Sequence, residues 1–308
     1  MSTSELFGDV REFPDPDAGD RFDALVGLDE IKKRLVSEAQ VLVDPTVLEE
    51  WSNAFHGRLI QAVKSVTDRA PLVVLAGDVG TGKTELAENV GDPIAKALKV
   101  DVALYPLSLS ARGKGLVGEM TTLLTQAFEA VRGGISGSRD SGGRVRRAAI
   151  LLIDEADALA QSRELAQMHH EDRAGVNALI RGIDSLRKER LPVLVLMCTN
   201  RPDAIDPAVL RRAARVFQFS RPTEGFRRQI LASDFDGAGL SEAVIDSLVA
   251  LTGPSPDCPY GCTYSDLRQR FVPDAVLDAL GTGPITEARL IELAEDFKPT
   301  RPFESSEE

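Results

Sequence analysis

Residues 77 to 84 read Gly77-Asp78-Val79-Gly80-Thr81-Gly82-Lys83-Thr84 and follow directly on the apolar run Pro71-Leu72-Val73-Val74-Leu75-Ala76. A buried strand that feeds a glycine-rich turn and then opens a helix leaves backbone N–H groups unpaired and aimed at one point, where a β-phosphate can sit. Gly77, Gly80 and Gly82 permit the turn and the close approach of a ligand to the backbone. In this pattern the lysine, here Lys83, reaches the β- and γ-phosphates, and the hydroxyl of Thr84 is a Mg²⁺ ligand. The stretch predicts a nucleoside triphosphate site.

Outward from this loop, apolar runs bounded by turn residues recur at Leu72–Ala76, Val100–Tyr105, Ala148–Ile153, Val193–Cys198 and Val216–Phe219. Helical spacing fills the intervals Glu85–Lys99, Thr121–Arg132, Arg173–Leu186 and Pro207–Ala214. Strands and helices alternating in this way predict an α/β fold with a five-stranded parallel sheet covered on both faces. After Pro222 the strand signal stops, and the helical segments Phe226–Phe235, Ser241–Leu251, Tyr264–Gln269, Pro273–Leu280 and Thr286–Phe297 predict a small all-helical lid domain. The expected organisation is a flexible segment 1–20, an α/β domain 21–220, a helical domain 221–298 and a disordered acidic tail 299–308. Trp51 and Phe55, four residues apart, read as core.

Composition narrows the function classes. No stretch approaches the ~18 apolar residues of a membrane span, and the acidic start, with Pro14 and Pro16, has neither the basic nor the apolar region of a secretory signal. Three cysteines make no disulfide framework, so a cytoplasmic protein is expected. A net charge of −12 repels phosphate backbones and weighs against nucleic acid as the partner. The arginine-rich run Arg139 to Arg147, set among glycines and serines, reads as a flexible loop. Cys258 and Cys262 lack the second ligand pair of a zinc site, and His169-His170-Glu171 lacks the order of a metalloprotease helix.

The other half of the site is equally legible. The strand Ile150-Leu151-Leu152-Ile153 ends in Asp154-Glu155-Ala156-Asp157, which puts Asp154 where it can hold Mg²⁺ and Glu155 where it can polarise the water that attacks the γ-phosphate. The next strand ends in Thr199-Asn200-Arg201-Pro202, making Asn200 a candidate for orienting that water. Next comes Asp206-Pro207-Ala208-Val209-Leu210-Arg211-Arg212, with nothing acidic at i±4 to pair the arginines. Guanidinium supplied across a subunit boundary neutralises developing γ-phosphate charge, worth ~10³–10⁵ in rate. Arg211 and Arg212 are the candidates.

Together Gly77–Thr84, Ile150–Asp157, Cys198–Pro202 and Asp206–Arg212 closely resemble the AAA+ ATPases, and Phe22-Asp23-Ala24-Leu25-Val26-Gly27-Leu28-Asp29-Glu30 is similar to the entry segment of that family. The resemblance implies ATP hydrolysis with Mg²⁺, adenine contacts from the Val26 and Gly27 backbone, and a lid contact to the γ-phosphate from Arg268, which follows Gly261-Cys262-Thr263-Tyr264-Ser265-Asp266-Leu267. Within that family, Arg173–Leu186 is similar to the pachytene-checkpoint remodellers of HORMA-domain proteins, whose bacterial members sit in CBASS antiphage operons. That likeness implies a homohexamer acting on a protein client. Leu116, Val117 and Gly118 fall at the family's first pore loop, with an aliphatic pair in place of the usual aromatic one. A Rubisco-activase-like or general chaperone, or a nucleic-acid-associated motor, would share these motifs.

Overall fold

The computed structural model describes residues 6–108, 119–159, 169–256 and 258–302. The chain divides into an α/β unit, residues up to 24 with 29–76 and 84–218, and a helical unit, residues 25–28 and 77–83 with 219 onward.

The α/β unit is built on β1 (Arg11–Phe13), β2 (Leu72–Gly77), β3 (Asp101–Ser108), β4 (Arg147–Asp154), β5 (Val193–Thr199) and β6 (Arg215–Phe219), in the order β1-β3-β4-β5-β2-β6. The five strands expected run parallel; β1 is an added edge strand, antiparallel to β3 with Phe13 opposite Val102. β4 and β5 are apolar and buried along nearly their whole length, as a sheet covered on both faces requires. One face, with Val74, Leu151 and Val195, packs on Leu124 and Phe128 of a helix over Glu119–Gly134 and on Leu179 and Ile183 of a helix over His169–Glu189.

Several expectations need correction here. Within the segment 1–20 expected to be flexible, the described residues supply β1 and the start of helix α1 (Pro16–Asp23), which Asp15 caps by accepting the Asp17 N–H. The physical reason is Phe13, which is buried against the bare backbone of Gly91. The helix expected over Glu85–Lys99 is two, Lys83–Asn89 and Gly91–Leu98, because Pro93 has no N–H to give the Asn89 carbonyl. Trp51 and Phe55 are exposed rather than core; their rings lie beside each other, 6.2 Å apart, on a helix over Thr46–His56 that buries only Ser52. The arginine-rich run is a closed turn in which Asp140 accepts the Gly142 and Arg144 N–H groups, Arg146 pairs with Asp140 and Arg147 with Glu12.

In the helical unit the chain turns at Pro222 and Thr223 caps the helix Glu224–Asp234. Helices Glu242–Leu251, Val272–Ala279 and Glu287–Asp296 follow, with a π-helical stretch over Asp266–Phe271. Their core gathers Ile230, Leu231, Leu248, Leu267, Phe271 and Leu290. The predicted tail begins ordered: Thr300 donates its N–H (3.0 Å) and hydroxyl (2.6 Å) to the buried carboxylate of Asp266.

Candidate active site

The phosphate loop belongs to the helical unit. Gly77, Gly80 and Gly82 have φ of 151°, 70° and 91°, where a side chain is strained. A Cβ on Gly77 would lie 2.2 Å from the Phe219 carbonyl oxygen, and one on Gly80 would lie 2.7 Å from the Thr263 hydroxyl. The loop is therefore pressed against its surroundings at both positions. Lys83 is buried, and its ammonium donates to the carbonyls of Gly77 (3.0 Å) and Asp78 (2.7 Å). Thr81 donates its hydroxyl to the same Asp78 carbonyl, and the Val79 N–H donates to the Asp78 carboxylate. A lysine within reach of the loop's own carbonyls can exchange them for phosphate oxygens without a change of backbone.

In the α/β unit, Thr84, in the first turn of the helix Lys83–Asn89, has its hydroxyl 3.3 Å from each carboxylate oxygen of Asp154 at the end of β4. Burial pushes the Asp154 carboxyl above its ordinary value, and the charges of Glu155 and Glu88 add to that; hydrogen bonds from the Glu155 N–H and Thr84 oppose it. A partly desolvated carboxylate beside a hydroxyl is a set of hard oxygen donors that fits Mg²⁺, whose charge would stabilise the ionised carboxylate against its burial. Glu155 is exposed and has φ 50°, a strained conformation for a non-glycine residue, as the chain turns sharply out of the strand.

Strand register brings these ends together. Ala76 lies opposite Thr199 and Ile153 opposite Met197, so β2, β4 and β5 finish at one edge of the sheet. Asn200 emerges there, its N–H on the carboxylate of Asp157 (3.4 Å), which also receives the Thr199 hydroxyl. Asp157 is 8% exposed, and the sequence reading assigned it no role. Its place three residues after Asp154 was the available signal.

The arginines separate. The helix expected over Pro207–Ala214 stops at Leu210, so Arg211 and Arg212 lie in the turn that leads into β6. Arg211 is exposed. Arg212 is tied to Asp184, with Nε 3.0 Å from Oδ1, and its Nη1 donates to the Ala208 carbonyl. Arg212 is thus not unpaired; its acid comes from another helix, where a search at i±4 cannot find it. Arg215, at the start of β6, is exposed beside the Phe217 ring.

In the helical unit Arg268 lies on the π-helical stretch and donates from Nε to Asp234 at 3.2 Å. Val26 packs on the helical core, and Gly27, at φ 74°, leaves room for the Tyr264 hydroxyl and the Phe226 ring. Leu116, Val117 and Gly118 fall outside the described residues.

The ATPase family associated with various cellular activities (AAA) matches residues 73–221. CD-NTase-associated protein 6 of Escherichia coli (strain MS 115-1) is 49% identical over 98% of this chain and 97% of its own. A chain of the solved E. coli MS115-1 HORMA:CdnC:Trip13 complex superposes with a TM-score of 0.90 at 48% identity, covering 98% of this chain and 99% of that one. Trip13 from Rhizobiales gives a TM-score of 0.74 at 42% identity, over 96% of this chain and 100% of that chain. The phosphate loop, the carboxylate pair and these full-length likenesses converge: the chain belongs to the AAA ATPases, nucleotide-binding enzymes that hydrolyse ATP, and within them to the group of CD-NTase-associated protein 6.

Proposed function

We propose that this ATPase remodels a HORMA-domain protein in a CBASS-type antiphage system, working in the cytoplasm as a homohexamer. The observation that carries the reading is the full-length likeness, at a TM-score of 0.90, to a chain of a solved HORMA:CdnC:Trip13 complex. The backbone amides of Gly77 to Thr84 and the Lys83 ammonium hold the β- and γ-phosphates, while the Val26 and Gly27 backbone receives adenine. Thr84 and Asp154 would hold Mg²⁺, which would neutralise charge on the phosphate oxygens. Glu155 polarises the attacking water and Asn200 orients it. Arg211 is the finger offered to a neighbouring subunit, because its guanidinium is exposed whereas Arg212 is tied to Asp184 within its own chain. Arg268 reaches the γ-phosphate after leaving Asp234, and Leu116, Val117 and Gly118 grip the client.

The test uses Glu155→Gln, which retains the acceptor oxygen and loses the charge that activates water. With ATP this variant is expected to hold nucleotide, lose at least about a hundredfold in hydrolysis and retain a HORMA-domain protein from the same genome in a pull-down. Wild-type ATPase activity should rise with that protein. Stimulation by DNA instead, or a client that neither binds nor stimulates, refutes the proposal.

A further inference from the structure

We propose that Arg221 and Asp78 form a clamp that fixes the phosphate loop to the segment 260–265, making Arg221 a positioning residue for nucleotide binding. It rests on the reading of Gly77–Thr84 as the nucleotide loop and assigns a role to two residues outside the reacting atoms.

Arg221 has three anchors. Its Nε donates to the Asp78 carboxylate at 2.7 Å with Nη2 on the same oxygen, its Nη1 donates to the Gly261 carbonyl at 2.6 Å, and its guanidinium lies 5.0 Å from the Tyr260 ring centre. The pair is mostly buried, with side-chain exposures of 14% for Arg221 and 18% for Asp78. Two guanidinium N–H groups converging on one carboxylate oxygen in such surroundings make a charge-assisted, directional pair. Pro222, next in sequence, holds the Arg221 backbone extended.

Asp78 is the hub of the loop. Its second carboxylate oxygen accepts the Val79 N–H, and its carbonyl accepts both the Lys83 ammonium and the Thr81 hydroxyl. Whatever moves Asp78 moves the acceptor that sets Lys83. A second tie runs parallel to the first: the Ser265 N–H donates to the Gly80 carbonyl at 3.1 Å. The loop is thereby joined to the chain that leads into the π-helical stretch carrying Arg268, and residues 77–83 cluster with the helical unit rather than with the strand that precedes them. When a triphosphate draws Lys83 from the Asp78 carbonyl, Arg221 keeps Asp78 in place against Gly261 and Tyr260.

The experiment measures ADP binding to the full-length chain by calorimetry for Arg221→Gln, Asp78→Asn, the double variant and Arg221→Lys. Each neutral single is expected to weaken ADP about tenfold, and the double to stay within about twofold of the singles, since removing either partner dissolves the same clamp. Arg221→Lys, which keeps the charge and loses the fork, should fall between wild type and Arg221→Gln. Singles within twofold of wild type, or a double weakened by the product of the two singles, overturn the clamp; so does a lower melting temperature with unchanged ADP affinity. If Asp78→Asn does not fold, the two Arg221 variants decide by the same criterion. Lys83→Ala separates the two readings: if it loses ADP while Arg221→Gln keeps it, only the clamp falls, and if Lys83→Ala binds ADP normally, the loop reading and the clamp fall together.

Discussion

Replacing Gly80 by alanine tests how tightly the phosphate loop is packed. Gly80 has φ 70°, and an added Cβ would lie 2.7 Å from the Thr263 hydroxyl and 2.9 Å from the Ser265 Cβ. Gly237, in the same helical unit, has φ 78° with nothing within 4 Å of the same atom, which makes it a matched control. Alanine at positive φ costs about 1–2 kcal/mol, offset by roughly 0.4–1 kcal/mol from the stiffer unfolded chain. Gly237→Ala should therefore destabilise by about 0–1.6 kcal/mol. Gly80→Ala adds overpacking against a backbone-anchored threonine and serine, about 1–3 kcal/mol more. At roughly 2–4 °C per kcal/mol for a chain of this size, the difference is a further ~2–12 °C in Tm, read by circular dichroism. Strain that moves the loop should also weaken ATP binding in Gly80→Ala and leave it intact in Gly237→Ala. Equal melting temperatures for the two variants would refute the packing argument.

Phe13→Ala removes a ring that is 2% exposed and opens a cavity above Gly91; destabilisation of about 3–5 kcal/mol is expected, and a urea midpoint unchanged from wild type would show that β1 does not contribute to the sheet. For Asp266, burial works against the charged form, but hydrogen bonds from Thr263 and Thr300 outweigh it and hold the carboxyl below its ordinary value near 3.8. A depressed carboxylate binds its proton more weakly in the folded chain, so the stability it contributes is present above about pH 4 and is lost as pH falls further. Melting curves from pH 6 to pH 3 should therefore converge for wild type and Asp266→Asn at the acid end, and parallel curves would refute the assignment.

Gly77–Thr84, Asp154 with Glu155, and Asn200 were legible as site candidates because each follows a strand. Leu72–Ala76 predicts where β2 ends, and Gly77 to Thr84 must follow at that edge; Ile150–Ile153 does the same for Asp154 and Glu155, and Val193–Cys198 for Asn200. A continuous apolar run sets both the burial of a strand and the place where its chain emerges. What escaped were pairings between residues far apart in sequence. Asp184 holds Arg212 across 28 positions, Arg221 holds Asp78 across 143, and Asp157 receives Asn200 across 43. Phe13 likewise orders a segment whose prolines and acids suggested flexibility, because its partner, Gly91, lies far along the chain.

The sequence by itself determined the α/β architecture, the helical region after Pro222 and the placement of Lys83, Thr84, Asp154 and Glu155 just past the ends of β2 and β4, since periodicity and backbone geometry act within a few residues. Only the tertiary structure decided which charges are already paired. It left Arg211 exposed while tying Arg212 to Asp184, and it joined the phosphate loop to the helical unit through Arg221. The physical reason is that an ion pair requires two side chains within about 4 Å, and for residues this far apart that proximity is created by the packing of the elements between them.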